Sequence, residues 1–136
     1  MTPTNPTKET HKRLRGLRGL LNALGISWAG FRHAMVNDAA VRQEIIALGI
    51  LVPISAWLRI TDVEHLILVL SMMLVVLVEF VNSAIESTVD RISFERHPLA
   101  GQAKDKASTA VAIAVLMCGL SWVVIVGPIV VRWIRG

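Results

Sequence analysis

A single cysteine, Cys118, is all that the 136 residues offer for disulfide chemistry. No intrachain bridge can form, and its apolar neighbours suit a small packed side chain. Charge is scarce as well, at 18% of residues against 54% hydrophobic. With a mean hydropathy of +0.59, that balance excludes an ordinary soluble domain of this length. No aromatic platform or folded basic module is present, so the formal charge of +4 does not point to nucleic acid. The basicity fits topology control and attraction to anionic lipid instead. Both common phosphate cradles, GxxxxGK[ST] and the kinase glycine loop, are missing. The first 13 residues are polar and lack the apolar core of a cleavable leader, so the hydrophobic segments are expected to remain in the mature protein. Internal repeats are also lacking. These exclusions leave a small polytopic membrane protein.

Taken in order, residues 1–10 hold two prolines and several threonines and read as a disordered leader. Residues 11–28 read as an amphipathic surface helix. Leu14, Leu17, Leu20, Leu21 and Leu24 fall on one helical face, flanked by Lys12, Arg13, Arg15 and Arg18. Gly25 is expected to end its regular part, and Trp28 suits the headgroup level. A mixed segment from Gly30 to Glu44 leads into three apolar spans, at 39–58, 64–90 and 107–131. The first span contains Pro53 and reaches full length only by including Arg42 and Glu44, which can snorkel or pair at the interface. The polar turn from Arg59 to His65 is brief, which makes the first two spans antiparallel neighbours. Residues 91–106 are expected to form a loop. Seven Lys or Arg lie in the first 42 residues, and Arg91, Arg96, Lys104 and Lys106 lie in that loop. This asymmetry places the N-terminus and the loop in the cytoplasm and the C-terminus outside. Arg132 and Arg135 mildly oppose it.

The stretch VEFVNSAIESTVD, Val78 to Asp90, carries the chemistry. Glu79, Asn82, Glu86 and Asp90 are spaced by three, four and four, which keeps them within one stripe of a helix. An ionisable group at the membrane depth of a helix is costly and usually has a functional partner. Glu79 sits within the apolar VLVEFV, where a carboxylate can take a proton from an alcohol held at the same depth. A helix that has simply emerged into water competes as an explanation for Asp90. Asp38 and Glu86 are two acids near one boundary that can share a hard cation such as Mg²⁺. On spacing alone, two independent surface acids explain them as well. Lys104 to Lys106 can neutralise phosphate, although a topology anchor explains that run more simply. Small residues at Ala107, Ser108, Ala110, Ala112 and Ala114 permit close helix packing.

VEFVNSAIESTVDR, together with HPLAGQAKD, resembles the signature of the prokaryotic diacylglycerol kinases. RHAMVNDAAVRQE is similar to the segment leading into that family's first span. The similarity runs from about Gly25 to Trp122. It implies an all-α membrane protein with three transmembrane helices and an N-terminal surface helix, assembled as a homotrimer in the bacterial inner membrane. The implied reaction moves the ATP γ-phosphoryl group to diacylglycerol, giving phosphatidic acid, with Mg²⁺ as cofactor. By position, the resemblance makes Glu79 the general base and a substrate contact, and Asp38 and Glu86 ligands of metal and ATP. Glu95, His97, Lys104 and Asp105 become nucleotide contacts, Ser108 and Trp122 lipid contacts, and Asn82 and Asp90 supporting residues. Two positions depart from the pattern. The family's second metal carboxylate is usually Glu, here Asp38, and an expected arginine falls on Gly19, beside Arg18. Undecaprenol as the acceptor, and a non-catalytic membrane assembly protein, are the competing readings.

Overall fold

The structure, a computed structural model, describes residues 17–92 and 97–136. It is helical: α1 spans Leu17–Asn37, α2 Ala39–Trp57, α3 Asp62–Ile92 and α4 Pro98–Arg135. The leader and the first turns of the expected surface helix, residues 1–16, lie outside the described residues, as does Glu95. The chain divides into two compact units, Met1–His33 and Ala34–Gly136.

In the first unit, α1 carries exposed Leu20, Leu21 and Leu24. The rings of Trp28 and Phe31 stack with centroids 5.7 Å apart. The expected stop at Gly25 does not occur, because the helix continues through Gly25 and Gly30. A glycine inside a helix costs only about 1 kcal/mol relative to alanine, too little to break an otherwise favourable run.

The second unit holds the membrane-spanning helices. Three helices, α2, α3 and α4, are long and apolar enough to cross a bilayer. Helix α3 is central and packs against both α2 and α4. Its packed residues Leu68, Met72, Val75, Glu79 and Asn82 are spaced four, three, four, three, the repeat of a helix seam. The facing positions on α4 include buried Ala107 and Ala114 and half-buried Val111 and Cys118. Of the small residues expected to pack, Ala107 and Ala114 do so, whereas Ser108, Ala110 and Ala112 are exposed. The two helices run antiparallel in a register fixed by two contacts. Ser71 Oγ donates to Cys118 Sγ at 3.7 Å, and Lys104 Nζ meets Asp90 Oδ1 at 2.6 Å.

Local chemistry sets the helix ends. Thr61, Asp62, Val63 and Glu64 open α3 as a capping box. Thr61 Oγ1 accepts from Glu64 N at 3.3 Å, while Glu64 Oε2 accepts from Thr61 N at 2.8 Å. The expected polar turn therefore shrinks to residues 58–61. The expected loop at 91–106 shrinks as well. His97 caps α4 through Nδ1, which accepts from Leu99 N at 3.2 Å, and Pro98 occupies the first turn, where its missing N–H is no loss. Lys104, Asp105 and Lys106 are thus helical, with good helix formers on either side. Pro53 and Pro128 lie inside α2 and α4 without ending them.

Candidate functional site

The length of α3 relates depth to chemistry. At 1.5 Å per residue, Glu79 lies about 26 Å along the axis from Asp62, so within a hydrocarbon layer of about 30 Å it sits close to the far boundary. Glu86 and Asp90 lie about 10 and 16 Å further on. On the same scale α2, with 19 residues, is about 28 Å long. Asp38, at its polar end, therefore falls near the same boundary as Glu79.

The four members of the stripe divide into two pairs. Glu79 is 6% exposed and Asn82 is 8% exposed. Both occupy packing positions that continue the Leu68, Met72 and Val75 seam. Glu86 and Asp90 are exposed. The amide of Asn82 hydrogen-bonds the Glu79 carboxylate, while Asn82 Oδ1 is buried with no partner among the described residues. The helix register sets Glu79 and Asn82 level with the Ala107 to Ala114 stretch of α4, whose buried alanines belong to the same seam.

Asp38 is the single non-helical residue between α1 and α2, with φ −114° and ψ 110°. An aspartate at a helix N-cap commonly accepts from a backbone N–H of the first turn. Asp38 does not use its side chain this way, so the carboxylate remains available. Arg42 stabilises the junction instead. Its Nη1 donates to Met35 O at 3.1 Å and Val36 O at 3.0 Å, satisfying carbonyls that the end of α1 leaves open. Arg42 is therefore a capping residue, a more specific role than interfacial pairing.

Glu79 lies close enough to Asp38 and Glu86 for their charges to act on it. Glu44 feels both Glu79 and Asp38. Four carboxylates from α2 and α3, including the Asp38 cap, thus share one end of the bundle. Sequence reasoning misses Glu44 as a member of this cluster, because it reads as an interfacial acid at the edge of an apolar run. Its position six residues after Asp38 and just before Ile45 is the available signal. Glu44 also lines an apolar cavity of about 290 Å³ between α2, α3 and α4, with Leu51, Met72, Val76, Cys118 and Trp122. Glu44 Oε2 and Trp122 Nε1 are buried there without partners among the described residues.

The other candidates are placed as follows. Lys104 pairs with Asp90, so Asp90 has a cation as its partner. Asp105 and Ser108 are exposed on α4. His97 serves as the α4 cap. Among the described residues no three His, Cys, Asp or Glu side chains converge as a metal site.

The sequence profile of the prokaryotic diacylglycerol kinases matches residues 25–126. The diacylglycerol kinase of Escherichia coli strain K12 is 44% identical over 110 residues, which cover 81% of this chain and 90% of that protein. The Pseudomonas aeruginosa diacylglycerol kinase is 41% identical over 81% of this chain and 89% of its own length. That of Helicobacter pylori strain 26695 is 35% identical over 84% and 89%. The chain belongs to the prokaryotic diacylglycerol kinase family. It is accordingly an enzyme, a lipid kinase of the membrane. The matched region includes α2, α3 and all four carboxylates of the cluster.

Proposed function

We propose that this kinase transfers the γ-phosphoryl group of ATP to the hydroxyl of diacylglycerol, giving phosphatidic acid, with Glu79 as the general base. The observation that carries the reading is a carboxylate buried in a helix seam, about 26 Å along α3 from its first residue, with further acids beyond it. The hydroxyl oxygen attacks the γ-phosphorus as Glu79 takes its proton, and ADP departs. Phosphoryl transfer depends chiefly on positioning and charge neutralisation, and an ester glycerol backbone already holds its free hydroxyl at this depth. Asn82 orients Glu79 through its amide. The apolar cavity beside Glu44 and Trp122 suits an acyl chain, and Ser108 lies further along α4 as a lipid contact.

The proposed cofactor is Mg²⁺, with Asp38 and Glu86 as the residues that would hold it. It takes one or two carboxylates and completes its shell with water and phosphate oxygens, and Asp38 and Glu86 supply hard oxygen donors that act on one common neighbour, Glu79. Bound there with ATP, the ion would neutralise phosphate charge. Lys104 and Asp105 extend the nucleotide side, with His97 at the start of α4; Glu95, outside the described residues, is a further proposed nucleotide contact. The relatives, all named diacylglycerol kinases, favour diacylglycerol over undecaprenol as acceptor, and the kinase family removes the grounds for a non-catalytic assembly role.

The same reading includes a homotrimer in the inner membrane with the carboxylate end facing the cytoplasm. Leu66, Leu70, Met73, Leu77 and Val81 form an exposed apolar stripe along α3, at spacings suited to another helix. Exposed Leu20, Leu21 and Leu24 suit α1 to the membrane surface. The decisive experiment is Mg²⁺-dependent phosphate transfer from ATP in mixed micelles, comparing diacylglycerol with undecaprenol and wild type with Glu79→Gln. Preference for the polyprenol would overturn the acceptor, and full activity of the variant would remove Glu79 as base.

A further inference from the structure

Two of the three spanning helices finish in the same three-residue form at the same end of the bundle. Helix α2 runs out through Trp57-Leu58-Arg59, and α4 through Trp133-Ile134-Arg135, with Arg132 just before. Because α3 returns antiparallel between them, both forms lie at the turn end, opposite the carboxylates. We propose that this end is a binding collar for anionic phospholipid headgroups, built from Trp57, Arg59, Arg132, Trp133 and Arg135.

Exposure and charge point the same way. Trp57 is 93% exposed and Trp133 is 86% exposed, an unusual state for the largest apolar side chain unless something amphipathic covers it. At a bilayer boundary the indole ring settles at headgroup level with its N–H toward water. In each form the arginine follows two residues later, about 3 Å further out wherever the helix continues. That step separates a ring embedded at the ester level from a guanidinium at the phosphate level. Arg59, Arg132 and Arg135 are all exposed, and among the described residues none has an ion pair. Arg132 is also drawn back along its helix, with Nε donating to Pro128 O at 3.3 Å, while its two terminal nitrogens are not used in that bond.

The acids at this end do not cancel the arginines. Glu64 is engaged by the Thr61 cap, and Asp62 stands in the first turn of α3, where the helix dipole favours a negative charge. The dipole at the end of α4 would account for arginines there, but not for Arg59, which follows α2 in the turn, nor for the paired tryptophans. A guanidinium offers planar paired donors to phosphate oxygens, and the basic excess selects an anionic headgroup over a zwitterionic one. This collar also explains why arginines sit at an end where the orientation rule disfavours them. They serve as lipid ligands there, whichever leaflet that end faces.

The test uses the full chain reconstituted in nanodiscs, with Trp28→Phe in every protein compared so that headgroup-level emission comes from Trp57 and Trp133, and with that emission quenched by brominated phosphatidylglycerol or brominated phosphatidylcholine. Near an anionic surface each basic residue is worth a factor of about five in binding, so the wild type, with three arginines, should be quenched at a mole fraction of the anionic lipid lower by at least about fivefold. Arg59→Gln/Arg132→Gln/Arg135→Gln should bring the two lipids to near parity, and Arg59→Lys/Arg132→Lys/Arg135→Lys should keep most of the preference. Salt at about 1 M, where the screening length is about 3 Å, should shrink it. Should the triple Gln variant fail to fold, each single Gln variant should still lose part of the preference. Equal quenching by both lipids in the wild type, or an unchanged preference in the Gln variants, would overturn the proposal. Kinase turnover is independent of either outcome, since these residues lie away from the carboxylates.

Discussion

Glu79 fills a position that belongs, by packing, to a hydrophobic seam. Leucine at 79 would continue Leu68, Met72 and Val75 without interruption. Burying a polar group with incomplete partners costs about 1–3 kcal/mol, and the hydrogen bond that Glu79 receives comes from Asn82. Glu79→Leu should therefore raise stability by about 1–2 kcal/mol while abolishing turnover, the signature of a residue kept for chemistry. The apolar gain adds little, because lipid is as apolar as the seam. Glu79→Gln preserves volume and removes only the proton acceptor. General-base catalysis contributes about 10²–10⁴-fold, so kcat should fall by that factor, or about 3–5 kcal/mol in the barrier. The KM for MgATP should change far less, because Asp38 and Glu86, the acids proposed to hold MgATP, are untouched. Thermal unfolding in detergent and coupled ATP turnover in diacylglycerol micelles measure the two effects. A Glu79→Leu protein less stable than wild type, or a Glu79→Gln protein with normal kcat, would refute the reasoning.

The remaining expectations divide by end of the bundle. Glu86→Gln should weaken the apparent affinity for MgATP and lower activity, seen as a right-shifted Mg²⁺ titration, and an unshifted curve would remove Glu86 from the ligand set. Asp38→Glu supplies the longer side chain that the family resemblance implies there and should retain or increase activity; abolished activity would separate this chain from the family pattern. Lys104→Ala breaks an exposed pair, so melting should barely move while the KM for ATP rises, and an unchanged KM would leave Lys104 as an anchor alone. At the opposite end, Thr61→Ala removes the α3 cap and should cost about 1 kcal/mol in unfolding free energy with kcat unaffected. A loss of kcat there would mean that the cap transmits to the site.

How much of the fold and site is legible in the sequence depends on whether periodicity or tertiary contact decides the outcome. The three spans are readable because long apolar runs dominate their sequences, and its setting inside VLVEFV is enough to mark Glu79 as a costly placement. Helix ends are harder. The HPLAGQAKDK stretch looks like a loop by polarity, yet His97 and Pro98 form a helix start, and the helix carries Lys104 inward toward Asp90. Gly25 looks like a stop, but nothing else in α1 favours one. The division of the stripe into buried Glu79 and Asn82 and exposed Glu86 and Asp90 cannot come from α3 alone, since all four share one face. It depends on where α2 and α4 cease to cover that face. Glu44 escapes a sequence reading for the same reason, because its partner Glu79 in the cluster comes from another helix.

The extra length of α3 and α4 has a mechanical purpose in this arrangement. A bilayer core needs about 20 residues, whereas α3 has 31 and α4 has 38. The surplus lies mostly beyond the carboxylate end, where Asp90 and Lys104 meet. Asp62 to Asp90 and Arg132 to Lys104 are equal intervals, each about 42 Å along its helix, so the ion pair joins two rods at matching height. Polar groups that would receive nucleotide thus stand on the same rigid elements that hold Glu79 in the seam. A flexible loop would have to lose conformational freedom, about 1–2 kcal/mol per residue fixed, each time it gathered those groups. Continuous helices meet that cost once, on folding. Helix-breaking substitution in this extension, Ala103→Pro for example, should therefore impair turnover much more than it impairs membrane insertion, because the apolar part of α4 begins only after it.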